Sequence, residues 1–135
     1  LRVTREVAQR LITGDYTPLL QSGEAFAAEC YALMQSRCYR PKAIVEYDRK
    51  AFIAKENKIR VTFDSRIVAT ESSFDLFDER LNMTPVLDPG AVVMEVKYNG
   101  FLLDYIRRMI NTVDQSELSV SKYMLARQNG YRYRL

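Results

Sequence analysis

The stretch Lys58-Ile-Arg-Val-Thr-Phe-Asp64 alternates polar with apolar residues. Because successive side chains of a β-strand point to opposite faces, this alternation predicts a strand with one apolar and one polar face. Arg60 lies in the middle of the polar face, with a lysine, a threonine and an aspartate around it. The stretch therefore predicts a sheet whose polar side carries fixed charge.

Two other runs read as strands of the same kind, Ala43-Ile-Val-Glu-Tyr-Asp-Arg49 and Val92-Val-Met-Glu-Val-Lys-Tyr98. In the second, Glu95 and Lys97 share one face. A sheet built from these runs either turns its charged face to bulk water or lines a polar cavity with it. The second alternative predicts an anion-binding site.

Helical patterns surround the strands. They are expected over about Val3–Ile12, Glu24–Ser36, Phe101–Asn111 and Val120–Gln128, with Thr4 as the cap of the first. Residues 70–90 hold prolines, aspartates and serines and are expected to form a long excursion. The fold class that follows is α+β with an antiparallel sheet.

Composition excludes several function classes. A net charge of +3 spread over both signs, without a basic stripe, argues against a nucleic-acid partner. The absence of histidine excludes histidine-based catalytic triads and histidine metal ligands. A metal would need oxygen ligands, which favours Mn²⁺ or Mg²⁺.

Cys30 and Cys38 fall in one predicted helical stretch, where eight residues of rise separate them by roughly 12 Å, too far for a disulfide. We expect free, mostly buried thiols in a reducing compartment. With no membrane-length apolar stretch and no signal peptide in the sequence, the expected location is cytoplasmic. The chain opens on Leu1 almost directly in a helix, which suggests a fragment.

Four short motifs, taken in order, resemble one family. They are Tyr47-Asp48-Arg49 with Phe52, the stretch 58–64, Glu95-Val96-Lys97-Tyr98 and Ser121-Lys122-Tyr123. Together they resemble the vacuolar transporter chaperone (VTC) polyphosphate polymerase domain, a member of the triphosphate tunnel metalloenzyme (CYTH-like) superfamily. The resemblance runs from about Val3 to Gly130 and covers only the C-terminal half of the family domain.

The resemblance implies a fold and an activity. Residues 1–135 would form part of a triphosphate-tunnel-type barrel with helices packed on its outer face. With about three to five strands, the chain would need the missing N-terminal half or a second copy to complete the barrel. The implied partners are ATP and inorganic polyphosphate, and the implied reaction is phosphoryl transfer from ATP to a growing polyphosphate chain.

The resemblance also implies roles for eight residues. Arg49, Arg60 and Lys97 would be catalytic cations, and Glu95 would bind Mn²⁺ or Mg²⁺. The expected substrate-binding residues are Tyr47, Lys58, Ser121 and Lys122.

Plainer interpretations of the same residues remain open. Arg49 and Lys58 lie at strand ends, where charges are usually solvated; Glu95 and Lys97 could form a surface ion pair; Ser121 could cap a helix. Two alternative functions stay open as well, a tunnel-type triphosphatase and a non-catalytic polyphosphate-binding module.

Overall fold

A computed structural model describes residues 1–113 and 121–132. The chain forms two compact units: the first contains Leu1–Ile44 and Thr70–Asn82, and the second contains Val45–Ala69 and Met83–Leu135. Each unit is described by itself below.

The first unit is helical. It contains α1 (Arg5–Ile12), a 3₁₀ helix (Thr17–Ser22) and α2 (Ala25–Ser36). Its buried core consists of Tyr16, Leu19 and Ala27, with Leu11, Cys30, Tyr31 and Met34 packed against it.

Helix α1 begins and ends as its sequence predicts. The Thr4 side chain accepts a hydrogen bond from the Val7 amide, which satisfies one of the unpaired donors of the first turn. At the other end, Gly14 has a φ of 87°. This left-handed conformation lets the amides of Gly14 and Asp15 donate to the carbonyls of Leu11 and Arg10, which stops the helix.

The second unit is built on a four-stranded sheet. Its strands are β1 (Ile44–Ala54), β2 (Ile59–Thr70), β3 (Thr84–Pro85) and β4 (Val93–Lys97). Strand β2 is central: it pairs with β1, and it also pairs antiparallel with β3 and with β4. In the register with β4, Arg60 lies opposite Lys97 and Thr62 opposite Glu95. Within the described residues no strand joins β1 to β4, so the sheet is open.

The turn between β1 and β2 brings the end of β4 close to the start of β2. Asn57 and Lys58 both have positive φ, 50° and 47°, and so reverse the chain tightly. The Asn57 side-chain amide donates to the Phe101 carbonyl at 2.8 Å, and the Asn99 amide donates to the Asn57 carbonyl at 2.8 Å. These two bonds fix the segment after β4 against the turn.

The alternation of β2 reverses at Arg66. Thr62 and Asp64 are buried before this point, whereas Ile67 and Ala69 are buried after it. Arg66 itself has a φ of 51° within the strand. A residue of this conformation that shifts the side-chain parity by one is the signature of a β-bulge.

Two helices follow β4, α3 (Asp104–Ile110) and α4 (Lys122–Arg132). The Ser121 hydroxyl accepts a hydrogen bond from the Met124 amide and so caps α4. In the described part of the chain, every helix is too short or too polar to cross a bilayer.

The structure confirms the α+β class, the antiparallel sheet and the predicted helices, within a few residues at their ends. The predicted first residue of the last helix, Val120, lies outside the described residues. Residues 70–90 form the expected excursion, with only the two-residue β3 in it. Both cysteines are free, as predicted, but Cys38 is exposed. It lies two residues beyond α2 with a φ of 51°, outside the helix that was expected to bury it.

The side chain of Lys122, the first residue of α4, reaches the polar face of the sheet and binds a carboxylate there. On the apolar face, Phe52 stacks edge-to-face on Phe63 and stays 61% exposed.

Candidate functional site

Around Thr62 and Asp64, the polar face of β2 is more deeply buried than the apolar face. Thr62 is 2% exposed and Asp64 is fully buried, whereas their apolar neighbours Val61 and Phe63 are only half-buried. Burying a carboxylate without a partner costs several kcal/mol, so a buried aspartate needs cations or donors around it. The contacts of Asp64 therefore define the first part of the site.

Two cations bind Asp64. Arg49 on β1 donates from Nε to Oδ1 at 2.6 Å and from Nη2 to Oδ2 at 2.8 Å. Lys122, the first residue of α4, places Nζ 2.6 Å from Oδ2. Asp64 Oδ1 therefore binds Arg49 of β1, and Oδ2 binds both Arg49 and Lys122 of α4.

Tyr47 lies against the same two cations. Arg49 Cζ is 5.1 Å and Lys122 Nζ is 4.9 Å from the centre of the tyrosine ring, both within cation–π range. Tyr47 and Arg49 share a face because they are two residues apart on β1. We call the four residues Tyr47, Arg49, Asp64 and Lys122 the Asp64 cluster.

These contacts shift the pKa values of Asp64 and Arg49. The hydrogen bonds from Arg49 lower the pKa of Asp64 to about 2; burial opposes this effect, and Lys122 adds to it. The same contact raises the pKa of Arg49, with a smaller contribution from the nearby charge of Glu95. Asp64 is therefore a carboxylate, and Arg49 a guanidinium cation, over the whole physiological pH range.

A second group of cations lies toward the β1–β2 turn. A cleft of about 400 Å³ is lined by Lys55, Lys58, Arg60 and Lys97, together with Ile53 and Ala54. Arg60 and Lys97 meet there because they are opposite each other in the β2–β4 register. We call this the turn cleft.

Glu95 lies along the polar face between the two groups. Its Oε1 atom is 3.0 Å from Lys97 Nζ, and its carbonyl accepts a 3.5 Å hydrogen bond from Thr62. Among the described residues there is no cluster of three or more potential metal ligands. A single carboxylate suits an ion such as Mg²⁺ that takes its other ligands from phosphate oxygens and water.

The structure brings the predicted site residues together in two places rather than one. Arg60, Lys58 and Lys97 line the turn cleft, whereas Arg49 and Lys122 belong to the Asp64 cluster with Tyr47. Ser121 is exposed at the start of α4, where its hydroxyl serves as a cap.

Two residues of the site were not singled out from the sequence. Asp64 was placed on the polar face, but its contacts to Arg49 and Lys122 depend on tertiary structure, which no local pattern shows. Lys55 lies one residue beyond β1, in the turn. Its place in the turn, three residues before Lys58, was the signal that would have grouped it with the other cations of the cleft.

Comparison with known proteins identifies a family. No curated protein and no solved structure matches the chain significantly. The family model of the VTC domain matches residues 1–130, nearly the whole chain. The chain therefore belongs to the VTC domain family.

Proposed function

We propose that this chain binds inorganic polyphosphate along the polar face of its sheet and takes part in phosphoryl transfer from ATP to the growing chain. Membership in the VTC domain family indicates a polyphosphate-related role. The observation that carries the finer proposal is the turn cleft, where two lysines of the β1–β2 turn, Arg60 of β2 and Lys97 of β4 line one opening.

The spacing of charge along the polar face suits a linear polyanion. The turn cleft lies at one end, Glu95 in the middle, and the Asp64 cluster toward α4. Each phosphate of a polyphosphate chain carries negative oxygens. A row of cations along the face therefore binds such a chain more favourably than one deep pocket would. Arginine suits this task because its planar fork matches phosphate oxygens.

Phosphoryl transfer of this kind depends mainly on positioning the two substrates and neutralising their charge, and little on covalent catalysis by the protein. The bond between the γ-phosphorus of ATP and its bridging oxygen breaks, a terminal oxygen of polyphosphate bonds to that phosphorus, and ADP leaves. Fixed cations that neutralise charge on the transferring group supply most of the effect. In this proposal Arg60, Lys97 and Arg49 are those cations.

Glu95 would hold the Mn²⁺ or Mg²⁺ ion that such a reaction uses. When bound, the ion would neutralise charge on the phosphate oxygens. Lys97 Nζ lies 3.0 Å from the Glu95 carboxylate on the same face. Tyr47, Lys58, Ser121 and Lys122 complete the proposed substrate contacts.

The open sheet gives this proposal a structural requirement. A closed tunnel of the superfamily type would need further strands on the free sides of β1 and β4. A segment outside residues 1–135 or a second copy of the chain would supply them. The molar mass in solution, measured by light scattering with and without tripolyphosphate, distinguishes a dimer from a monomer.

The decisive experiment is polymer synthesis. The full-length protein that contains residues 1–135 is incubated with ATP and Mn²⁺, and polymer, orthophosphate and binding of tripolyphosphate are each measured. We expect polymer, with a loss of tenfold or more in Arg60→Ala and in Glu95→Gln. Lys50→Ala removes an equal charge on the other face of β1 and serves as the matched control.

The other outcomes assign the other functions. Orthophosphate without polymer would indicate a triphosphatase, and binding without turnover would indicate a non-catalytic polyphosphate-binding module. Unchanged rates in both variants would remove Arg60 and Glu95 from the mechanism. Failure to bind tripolyphosphate would overturn the proposal as a whole.

A further inference from the structure

Asp64 cannot be reached by a ligand in this structure. Its side chain is 1% exposed, and both of its oxygens are bonded to cations. Arg49 and Lys122 differ from it in this respect, with side-chain exposures of 36% and 23%. The buried carboxylate thus lies behind two cations that still reach solvent.

The donors left over on these cations can be counted. A guanidinium has five N–H groups, of which Arg49 uses one on Nε and one on Nη2 for Asp64. An ammonium has three, of which Lys122 uses one. Counted against the described residues, both cations therefore keep unused donors, while the carboxylate fixes the direction in which they point.

The Tyr47 ring restricts the same two groups from another side. Both cationic centres lie about 5 Å from the ring centre. Long side chains such as arginine and lysine lose much rotamer entropy when a ligand orders them. Here the carboxylate and the ring have ordered them already, so a ligand would bind without that loss.

We propose that Asp64 is a positioning residue that holds Arg49 and Lys122 side by side as one receptor for phosphate groups, without touching the phosphate itself. This inference rests on the proposed function and adds a residue and a role to it. The Asp64 cluster keeps one net positive charge, so it still attracts a polyanion. The carboxylate lowers the local charge but orders both cations.

Removal of the Asp64 charge distinguishes two possible roles of this residue, because they predict opposite changes in the affinity for tripolyphosphate. If Asp64 acted only through its field, Asp64→Asn would add a net positive charge and tighten tripolyphosphate binding. If it positions the cations, the same change weakens binding, because Arg49 and Lys122 lose their shared partner. We expect at least a tenfold weaker Kd, measured by calorimetry at pH 7.

The salt dependence of binding distinguishes positioning from a loss of folded protein. For polyanions, the slope of log K against log salt reports how many cations engage phosphates. We expect this slope to fall by about one to two in Asp64→Asn, even though the net charge of the protein rises. A change that only reduced the folded fraction would weaken binding and leave the slope unchanged.

Asp48→Asn is the matched control. It removes an equal charge from an exposed carboxylate on β1 that pairs with Arg66. We expect less than a twofold change in Kd and no change in slope. Urea unfolding of each variant verifies that it is folded under the binding conditions.

The outcomes are separable. Wild-type protein that binds tripolyphosphate, together with an Asp64→Asn variant of equal or tighter Kd or of unchanged slope, would overturn the positioning role alone. Wild-type protein that does not bind tripolyphosphate would overturn the proposed function and this inference with it. Weaker binding with a smaller slope in Asp64→Asn alone supports the inference.

Discussion

Arg49 meets Asp64 side-on, through Nε at 2.6 Å and Nη2 at 2.8 Å, so that side chains as well as backbone join β1 to β2. Removal of one partner from a buried ion pair leaves an uncompensated charge, at a cost of about 3 kcal/mol or more. Lys122 remains bound to Asp64 and reduces this cost. We expect Arg49→Ala to lower the free energy of unfolding, measured by urea denaturation at pH 7, by more than the loss of a fully exposed ion pair does.

Arg66→Ala provides the comparison for this prediction. Arg66 pairs with Asp48, but the two side chains are 76% and 53% exposed, and exposed pairs contribute less than about 1 kcal/mol. Equal losses of stability in the two variants would mean that burial of Asp64 does not strengthen its ion pair.

The stability that Asp64 contributes depends on pH in one direction. Its pKa in the folded protein is about 2, below the ordinary value of 3.8 that we expect in the unfolded chain. The unfolded state therefore binds the proton first, and the contribution is complete above about pH 4 and is lost as the pH falls toward 2. We expect the stability difference between wild type and Asp64→Asn to shrink over that interval in urea titrations. A difference that stayed constant down to pH 2 would contradict the ion-pair assignment.

Lys58 combines a strained backbone with a place in the turn cleft. A left-handed conformation costs a residue other than glycine about 1 kcal/mol. Lys58→Gly should therefore raise the free energy of unfolding by about 0.5 to 1 kcal/mol, while weakening tripolyphosphate binding several-fold.

Lys58→Ala separates the two effects of that substitution. It removes the same cation and keeps a Cβ atom in the left-handed region, so we expect equally weakened binding without the gain in stability. Undiminished binding in both variants would place Lys58 outside the phosphate contacts.

A substitution of Lys55 tests whether the turn cleft binds phosphate. The sequence analysis did not single out this residue. It lines the turn cleft with Lys58, Arg60 and Lys97. We expect Lys55→Ala to weaken tripolyphosphate binding three- to tenfold and to lower the salt slope by about one. Lys50→Ala, on the opposite face of β1, should leave both quantities unchanged. Equal effects in the two variants would indicate that tripolyphosphate responds to the overall electrostatic field of the protein and does not bind in the turn cleft.

The parts of the fold that local chemistry controls were predictable. The alternation of residues 58–64 gives β2, Thr4 and Gly14 mark the ends of α1, and Asn57 gives the turn. Each of these signals depends only on residues close together in the chain. Element type and order could therefore be predicted from the sequence.

The part that could not be predicted is which charges neutralise each other. Arg49 and Asp64 lie on the paired strands β1 and β2, 15 residues apart, whereas Lys122 is far from both in the sequence, so its contact with Asp64 depends on how α4 lies on the sheet. The polar face of β2 likewise was expected to carry charge, but its burial at Asp64 follows from that same contact. The plainer interpretation of Ser121 as a cap agrees with its hydrogen bond to Met124.

The reversal at Arg66 divides β2 into two halves. The number of residues in each half separately determines which of its side chains face which side of the sheet. Ahead of it, the even-numbered positions carry the charged site; beyond it, the odd-numbered Ile67 and Ala69 are buried, together with Thr70 at the end of the strand. In a regular strand of the same length, without this reversal, Ile67 and Ala69 would lie on the side of the sheet opposite to Thr62 and Asp64. A chimaera that borrows this strand from another protein must therefore match the residue count on each side of position 66 independently, since a match in total length alone would misplace one half.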